Sequence, residues 1–275
     1  MENIAANIPE NIPMTSEMQQ LVNDPNFVVE FAMGDPVPDL VPQSRDSGIK
    51  MSGVYFDKTK RYIMKNAHMS KEDVRMIDYD SGHIILVSHH PGKDPYAEFD
   101  PLGLNDSGKQ HKVQGGEWES ACDVTSKHYQ MQNFKIRPKH MSRHGRQYIR
   151  KTNDETIMNI GKMGKLETQS MRPHFEVCKE KNGDRVYTIS ADMMARTFTI
   201  KNEKEEVVAQ VAKTTKAMIQ MAVLGSGTES TIDIASGADC STILAIVYGM
   251  FLYWLRAFLF RQIMYFPFAQ NSDSP

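Results

Sequence analysis

The sequence predicts a mainly β fold, an antiparallel sandwich or barrel packed around one long apolar helix. Three observations predict it. Turn signals recur about every ten residues through most of the chain, the rhythm of hairpins rather than of β-α-β units. Short runs rich in β-branched and aromatic residues lie between those turns. One stretch, Gly237–Gln262 ("GADCSTILAIVYGMFLYWLRAFLFRQ"), is far more hydrophobic than the rest of the 275 residues.

The composition fits a globular chain, with 40% hydrophobic and 24% charged residues. A net charge of −2 supplies no global pull toward nucleic acid or anionic lipid, so any such attraction must be local. The three cysteines, Cys122, Cys178 and Cys240, are scattered and never form C-x-x-C, which argues against a disulfide framework or structural zinc and for a reducing compartment. The N-terminus has neither a basic nor an apolar signal region. Residues 1–48 hold six of the 13 prolines and read as a disordered extension with one short helix after Ser16.

From Gly53 the hairpins begin. "GVYFDKTKRYIMKN" reads as two strands about a polar turn. "VRMIDYDSGHIILVSHH" is a second pair, turning at Asp80-Ser81-Gly82. "FEVCKEKNGDRVYTIS" turns at Asn182-Gly183, the strongest short hairpin signal, and "RTFTIKNEKEEVVAQVAKT" bends at Asn202–Glu205. A faint internal repeat starts at Tyr62 and again at Tyr187: strand, connection, strand, polar turn, strand.

The apolar run Ile243–Leu255 would span about 20 Å as a helix, against about 30 Å of bilayer core. Extension from Cys240 to Phe260 just reaches across, with Arg256 inside the hydrocarbon. The segment has no polar face, and the preceding strands need something to pack against, which predicts a helix at the centre of the core. Asp239 is placed to accept from the free N–H groups of the first turn, and Gly237 to let the chain turn in.

"STIDIASGADCSTILAIVYGMFLYW" resembles the closing motif of the LURP-one-related family, within the tubby C-terminal-like superfamily that also includes the phospholipid scramblases. The matching positions are Ile232–Ile234, Gly237, Asp239 and Ile243–Trp254. Asp80 and Gly82 are similar to the family's Asp-x-x-Gly hairpin, and "FTIKNEKEEVVAQVAK" to its later counterpart. The resemblance covers roughly residues 50–260 and departs from the pattern over 92–150. It implies a tubby-like closed antiparallel β-barrel of about twelve strands around a central hydrophobic C-terminal helix. The domain is then 49–262, its plug helix 240–256 with Asp239, Ile243, Leu244, Ile246, Val247, Phe251, Leu252 and Leu255 structural, and 263–275 a tail. Pro267 should end the helix at or before Phe266. The tail aromatics Phe258–Phe268 could lie at a membrane interface or pack on the barrel, and the sequence leaves both open. The scramblases' cysteine-rich cluster and Pro-rich repeats are missing.

Lys127–Lys151 is the one strongly basic stretch, with eight Lys or Arg, three His and no acid, interleaved by Tyr129, Phe134 and Tyr148. Tubby-like domains are known for phosphoinositide binding through basic residues on the barrel, and Lys135-x-Arg137 is similar to that pattern. The candidate headgroup-binding residues are Lys135, Arg137, Lys139, Arg143 and Arg146. A solvated strand and loop is the plainer reading of the same charges. His140 and His144 lack an intervening carboxylate and sit between Pro138 and Gly145, so no metal site is expected. "GSGTES" and "GKMGK" lack the spacing of phosphate loops, no G-x-S-x-G occurs, and Cys178 lies mid-strand with no helix N-terminus to activate it.

The expectation is a non-enzymatic, cofactor-free, cytoplasmic protein that binds phospholipid or phosphoinositide headgroups, or a protein partner, at a membrane surface, and no nucleic acid. The alternatives are a scramblase-like lipid-translocating protein whose Cys240–Phe260 helix spans the bilayer, and a lipid-independent scaffold.

Overall fold

The computed structural model of the protein describes residues 39–66, 74–88, 111–118, 129–138, 145–170, 172–191, 197–213 and 229–265, with 66, 111, 112, 117, 118, 129, 138 and 255–265 as backbone only. Fourteen strands are found among them: β1 (Lys60–Asn66), β2 (Val74–Asp78), β3 (Ile84–Ser88), β4 (His111–Gly115), β5 (Glu117–Trp118), β6 (Tyr129–Gln130), β7 (Phe134–Pro138), β8 (Gln147–Lys151), β9 (Thr156–Lys162), β10 (His174–Lys179), β11 (Arg185–Ala191), β12 (Thr197–Lys201), β13 (Val207–Lys213) and β14 (Glu229–Ile234). A short helix, α1 (Lys165–Thr168), follows β9, and α2 (Cys240–Tyr265) follows β14.

Twelve strands close one antiparallel barrel in the order β1-β14-β13-β12-β11-β10-β9-β8-β7-β4-β3-β2, and β5 pairs with β6 apart from it. This is the closed twelve-stranded architecture the sequence predicts. The two sequence repeats become β1-β2-β3 and β11-β12-β13, each headed by a buried tyrosine, Tyr62 and Tyr187. Side chains alternate along each strand. On β1, Tyr62 and Met64 point into the core while Arg61, Ile63 and Lys65 face outward. The barrel closes where β1 meets β14, with Arg61 opposite Asp233. There the guanidinium is bidentate, Nε to Oδ1 at 2.6 Å and Nη2 to Oδ2 at 3.0 Å.

α2 fills the barrel. Its residues Cys240–Met250 are all buried. Of the expected plug residues, Ile243, Leu244 and Ile246 are 0% exposed, Val247 1% and Leu252 2%. Phe251 is half-buried, and the Leu255 side chain lies outside the described residues. A segment enclosed by the wall is not available to a bilayer, so the spanning alternative for Cys240–Phe260 is set aside. Among the described residues no helix is long and apolar enough to cross a membrane. Gly249 lets the helix approach the β7–β9 wall: a Cβ there would lie 2.7 Å from Ile160 Cδ1, beside Ile149 and Ile136. The helix runs past the expected end at 256 to Tyr265, short of Pro267.

Two expectations change. Gly53–Phe56 is not a strand but part of a strap under the barrel. Its carbonyls accept from the helix entry, Val54 O from Cys240 N at 2.9 Å and Phe56 O from Gly237 N at 2.9 Å. Asp239 does accept from the first turn, Ser241 N at 3.2 Å. Its larger role is to hold the strap, accepting from Met51 N at 2.7 Å and Val54 N at 2.9 Å. The Ser241 and Thr242 hydroxyls, each 2.7 Å away, complete a carboxylate only 4% exposed. Gly237 has φ 75°, and any Cβ would strike Gln43 O at 1.9 Å. The strap also takes in residues placed in the extension: Val41 N donates to Val207 O at 2.9 Å and Gln43 N to Ser236 O at 2.8 Å. The short helix after Ser16 lies outside the described residues.

Asp239→Ala strips the Val54 amide and the helix entry of their acceptor and leaves Met51 N only Thr242 Oγ1 at 3.0 Å. Urea denaturation should therefore show a loss of about 3–5 kcal/mol, with the strap the first segment to exchange its amide protons. A second outcome concerns alkali. Burial pushes the Cys240 thiol up from 9.0 to about 12, against the pull of a Tyr62 hydrogen bond. Burial likewise raises Tyr187 from 10.0 to about 12. Both groups are protonated in the fold, so their contribution is whole below pH 9 and is lost as pH rises toward 12. Stability should fall by about 1.4 kcal/mol per pH unit between about pH 9 and 10 and by about twice that above pH 10, where Tyr187 joins, and Cys240→Ala should delay the onset to near pH 10.

Candidate functional site

Basic side chains gather on the outer wall of β7 and β8. Alternation in "FKIRP" sends Phe134 and Ile136 into the core, 1% and 0% exposed, and leaves Lys135 and Arg137 outside. Antiparallel pairing sets Lys135 opposite Arg150 and Arg137 opposite Tyr148. The Arg150 guanidinium lies 5.4 Å from the Tyr148 ring centroid. Burial and then the like charge of Arg150 hold Arg137 below its usual range, while Asp154 opposes them. Lys135 Nζ is 3.2 Å from Asp154 Oδ1 at the β8–β9 turn, an exposed contact of small value.

The outward positions on the neighbouring strands carry no acid. β4 places Lys112 at the register position opposite Lys135. β2 carries Arg75 opposite Val87 of β3. The one carboxylate on β2, β3, β4, β7 or β8 is Asp78, turned inward to Lys60 at 2.8 Å with both side chains buried. The carboxylates that approach this wall are at its turns, Asp154 beside Lys135 and Asp80 bound to Lys60. On the far wall, by contrast, a groove of about 360 Å³ is lined in part by Asp184, Glu203 and Glu205.

The structure separates the five predicted residues. Lys135 and Arg137 share the wall. Arg146 does not join them: its guanidinium binds the side chains of Glu176 and Asn159. Asn159 is fully buried and donates on to Glu180 O at 2.7 Å, so Arg146 ties β8, β9 and β10 together. Lys139 and Arg143 lie outside the described residues, as do His140 and His144. The interleaved aromatics are not free to stack: Phe134 is core and Tyr148 is 6% exposed, while the Tyr129 side chain lies outside the described residues. Sequence reasoning missed Arg150 and Arg75, and period-two alternation along "QYIRK" and "VRMID" is the signal that finds them. The buried Cys178 thiol is pushed up by burial and by Glu176, against Arg146, which suits packing rather than nucleophilic chemistry. Among the described residues no three His, Cys, Asp or Glu side chains are grouped to hold a metal.

The two kinds of cation should separate on mutation. Arg146→Ala leaves buried Asn159 and Glu176 short of a partner and should lower stability by about 1–3 kcal/mol in thermal or urea unfolding. Lys135→Ala, at an exposed pair, should change it by less than about 1 kcal/mol.

The family model described as LURP-one-related matches residues 104–250, just over half of the chain. An X-ray structure of a protein from Arabidopsis thaliana is similar over 70% of this chain and 90% of that one, at 9% identity and a TM-score of 0.30. No curated protein matches. By the extent of the family match, the chain belongs to the LURP-one-related family.

Proposed function

We propose that this tubby-like domain protein acts without catalysis, binding anionic phospholipid headgroups at a membrane surface through the wall formed by Lys135, Arg137 and Arg150. The observation that carries the reading is the absence of any outward carboxylate on five neighbouring barrel strands, β2, β3, β4, β7 and β8, in a chain whose net charge is −2. Folding does not ask for that segregation, because outward side chains contribute little to the core. A phosphate-bearing surface does, since each basic residue near it contributes about 1 kcal/mol and each carboxylate would subtract. Phosphoinositides, with more charge per headgroup, are expected to bind more tightly than singly charged lipids. The reading goes with a cytoplasmic protein held peripherally at the membrane.

The test is co-sedimentation with phosphatidylcholine vesicles, with and without phosphatidylserine or a phosphoinositide. Wild-type protein should bind the anionic vesicles and release them as salt rises. The triple variant Lys135→Ala, Arg137→Ala, Arg150→Ala should bind roughly a hundredfold more weakly, about 1 kcal/mol per residue, with its melting temperature kept. Wild-type protein that ignores anionic vesicles at low salt would leave the lipid-independent scaffold as the reading.

A further inference from the structure

The β-strands beside the basic wall carry an apolar row on the side where strands of a closed barrel ordinarily carry polar residues. Ile63 of β1 stands directly opposite Ile77 of β2, and Ile77 opposite Ile84 of β3. All three face outward, between the inward pairs Tyr62–Asp78 and Met76–Leu86. Ile63 and Ile77 are half-buried, Ile84 is 42% exposed, and Tyr79, next along β2, is 58% exposed. Charges of both signs edge the row: the Arg61 guanidinium, paired with Asp233, lies 5.9 Å from the Tyr79 ring, Arg75 is exposed on β2, and Asp80, beside Tyr79, is bound to Lys60 at 2.6 Å.

We infer that this row is where the protein enters the bilayer interface: the outer face of β1–β3 lies against an anionic membrane, with Ile84 and Tyr79 passing below the headgroups. The inference rests on the headgroup-binding reading and adds which face goes down and that the contact is partly apolar. Charge selects the occupant. An anionic bilayer neutralises Arg75, exposed on β2, and the cations of the adjoining basic wall, whereas Arg61 and Lys65 are already paired, with Asp233 and with Glu229 at 3.8 Å. The row is also continuous with the basic wall. β3 and β7 are separated only by β4, a turn of about 60° around a twelve-stranded barrel, so one surface can touch both. A tyrosine at the edge of an apolar patch, its ring beside a guanidinium, suits the headgroup level.

The test uses the full chain carrying Cys122→Ser, since Cys178 and Cys240 are buried. A polarity-sensitive fluorophore is attached at Ile84→Cys or, as the control, at Thr188→Cys on β11, diametrically across the barrel. With vesicles of equal parts phosphatidylcholine and phosphatidylserine, the label at 84 should brighten and shift to the blue while the label at 188 stays unchanged. Co-sedimentation without any response at 84 would overturn the inference and leave headgroup binding standing. Failure to co-sediment would overturn both. A blue shift at 84 that grows with protein concentration in the absence of vesicles would mean that a second copy covers the face, and would also overturn it. The label-free check is Tyr79→Ser with Ile84→Asp. Binding that persists in high salt should weaken roughly tenfold or more with the melting temperature retained; unchanged binding would count against insertion.

Discussion

The fold depends on enclosing a helix that has no polar side. Such a helix cannot lie on a surface, so the sheet has to surround it, and an antiparallel sheet that surrounds a helix must join its first strand to its last. The Arg61–Asp233 pair sits on that joint. Enclosure then creates a second problem at the helix entry, where N–H groups have no partner inside the helix and water is excluded. Asp239 answers it with a buried carboxylate, and a buried carboxylate needs several donors. Those donors come from Met51 and Val54, nearly two hundred positions upstream, and from the neighbouring Ser241 and Thr242. The strap, the closing strand and the helix are therefore one unit, assembled from both ends of the domain. Contacts of that sequence separation are slow to form, so formation of this unit is expected to come late in folding.

Legibility in the sequence follows the range of the interactions. The hairpins at Asp80–Gly82, Asn182-Gly183 and Asn202–Glu205 are specified within a few residues, and each is found where its turn chemistry places it. The plug helix is equally plain, because an all-apolar segment has few places to go. Gly53–Phe56 misleads, since an extended apolar run looks the same whether its backbone pairs with a strand or with a helix entry. Asp239 reads locally as a cap, but its bonds to the strap are invisible without the fold. The strap's attachments at Val41 N and Gln43 N are backbone bonds, which leave no mark on side-chain composition, and the Gln43 side chain adds one more by accepting from Asn202 Nδ2 at 2.9 Å.

The basic stretch shows the same division more finely. Its charge count is legible, but its sorting is not. Alternation in "FKIRP" already buries Phe134 and exposes Lys135 and Arg137, so that part follows from period two. Arg146 looks like its neighbours in sequence and differs only because Glu176, thirty residues on, pairs with it across the sheet. Tyr148 and Arg150 share the outer face of one strand by period two, yet Tyr148 is only 6% exposed, a withdrawal from solvent that the local pattern does not encode.

Charge is also arranged around the barrel rather than merely present. The strands β2, β3, β4, β7 and β8, which carry no outward carboxylate, lie across from the turns at Asp184 and Glu203–Glu205, which line part of the groove on the β11–β13 side. The outward positions of those strands are thus cationic or neutral in a chain of net charge −2. Such a molecule has an electrostatic direction. Near a negatively charged surface the acidic side is repelled and the basic side attracted, so it turns before it touches. That pre-orientation acts over about a Debye length, roughly 8 Å at physiological salt, and so sets which face arrives first. The apolar row Ile63–Ile77–Ile84 can act only after arrival, because its gain needs direct contact. On the proposed headgroup-binding reading, orientation by charge therefore precedes seating through apolar side chains.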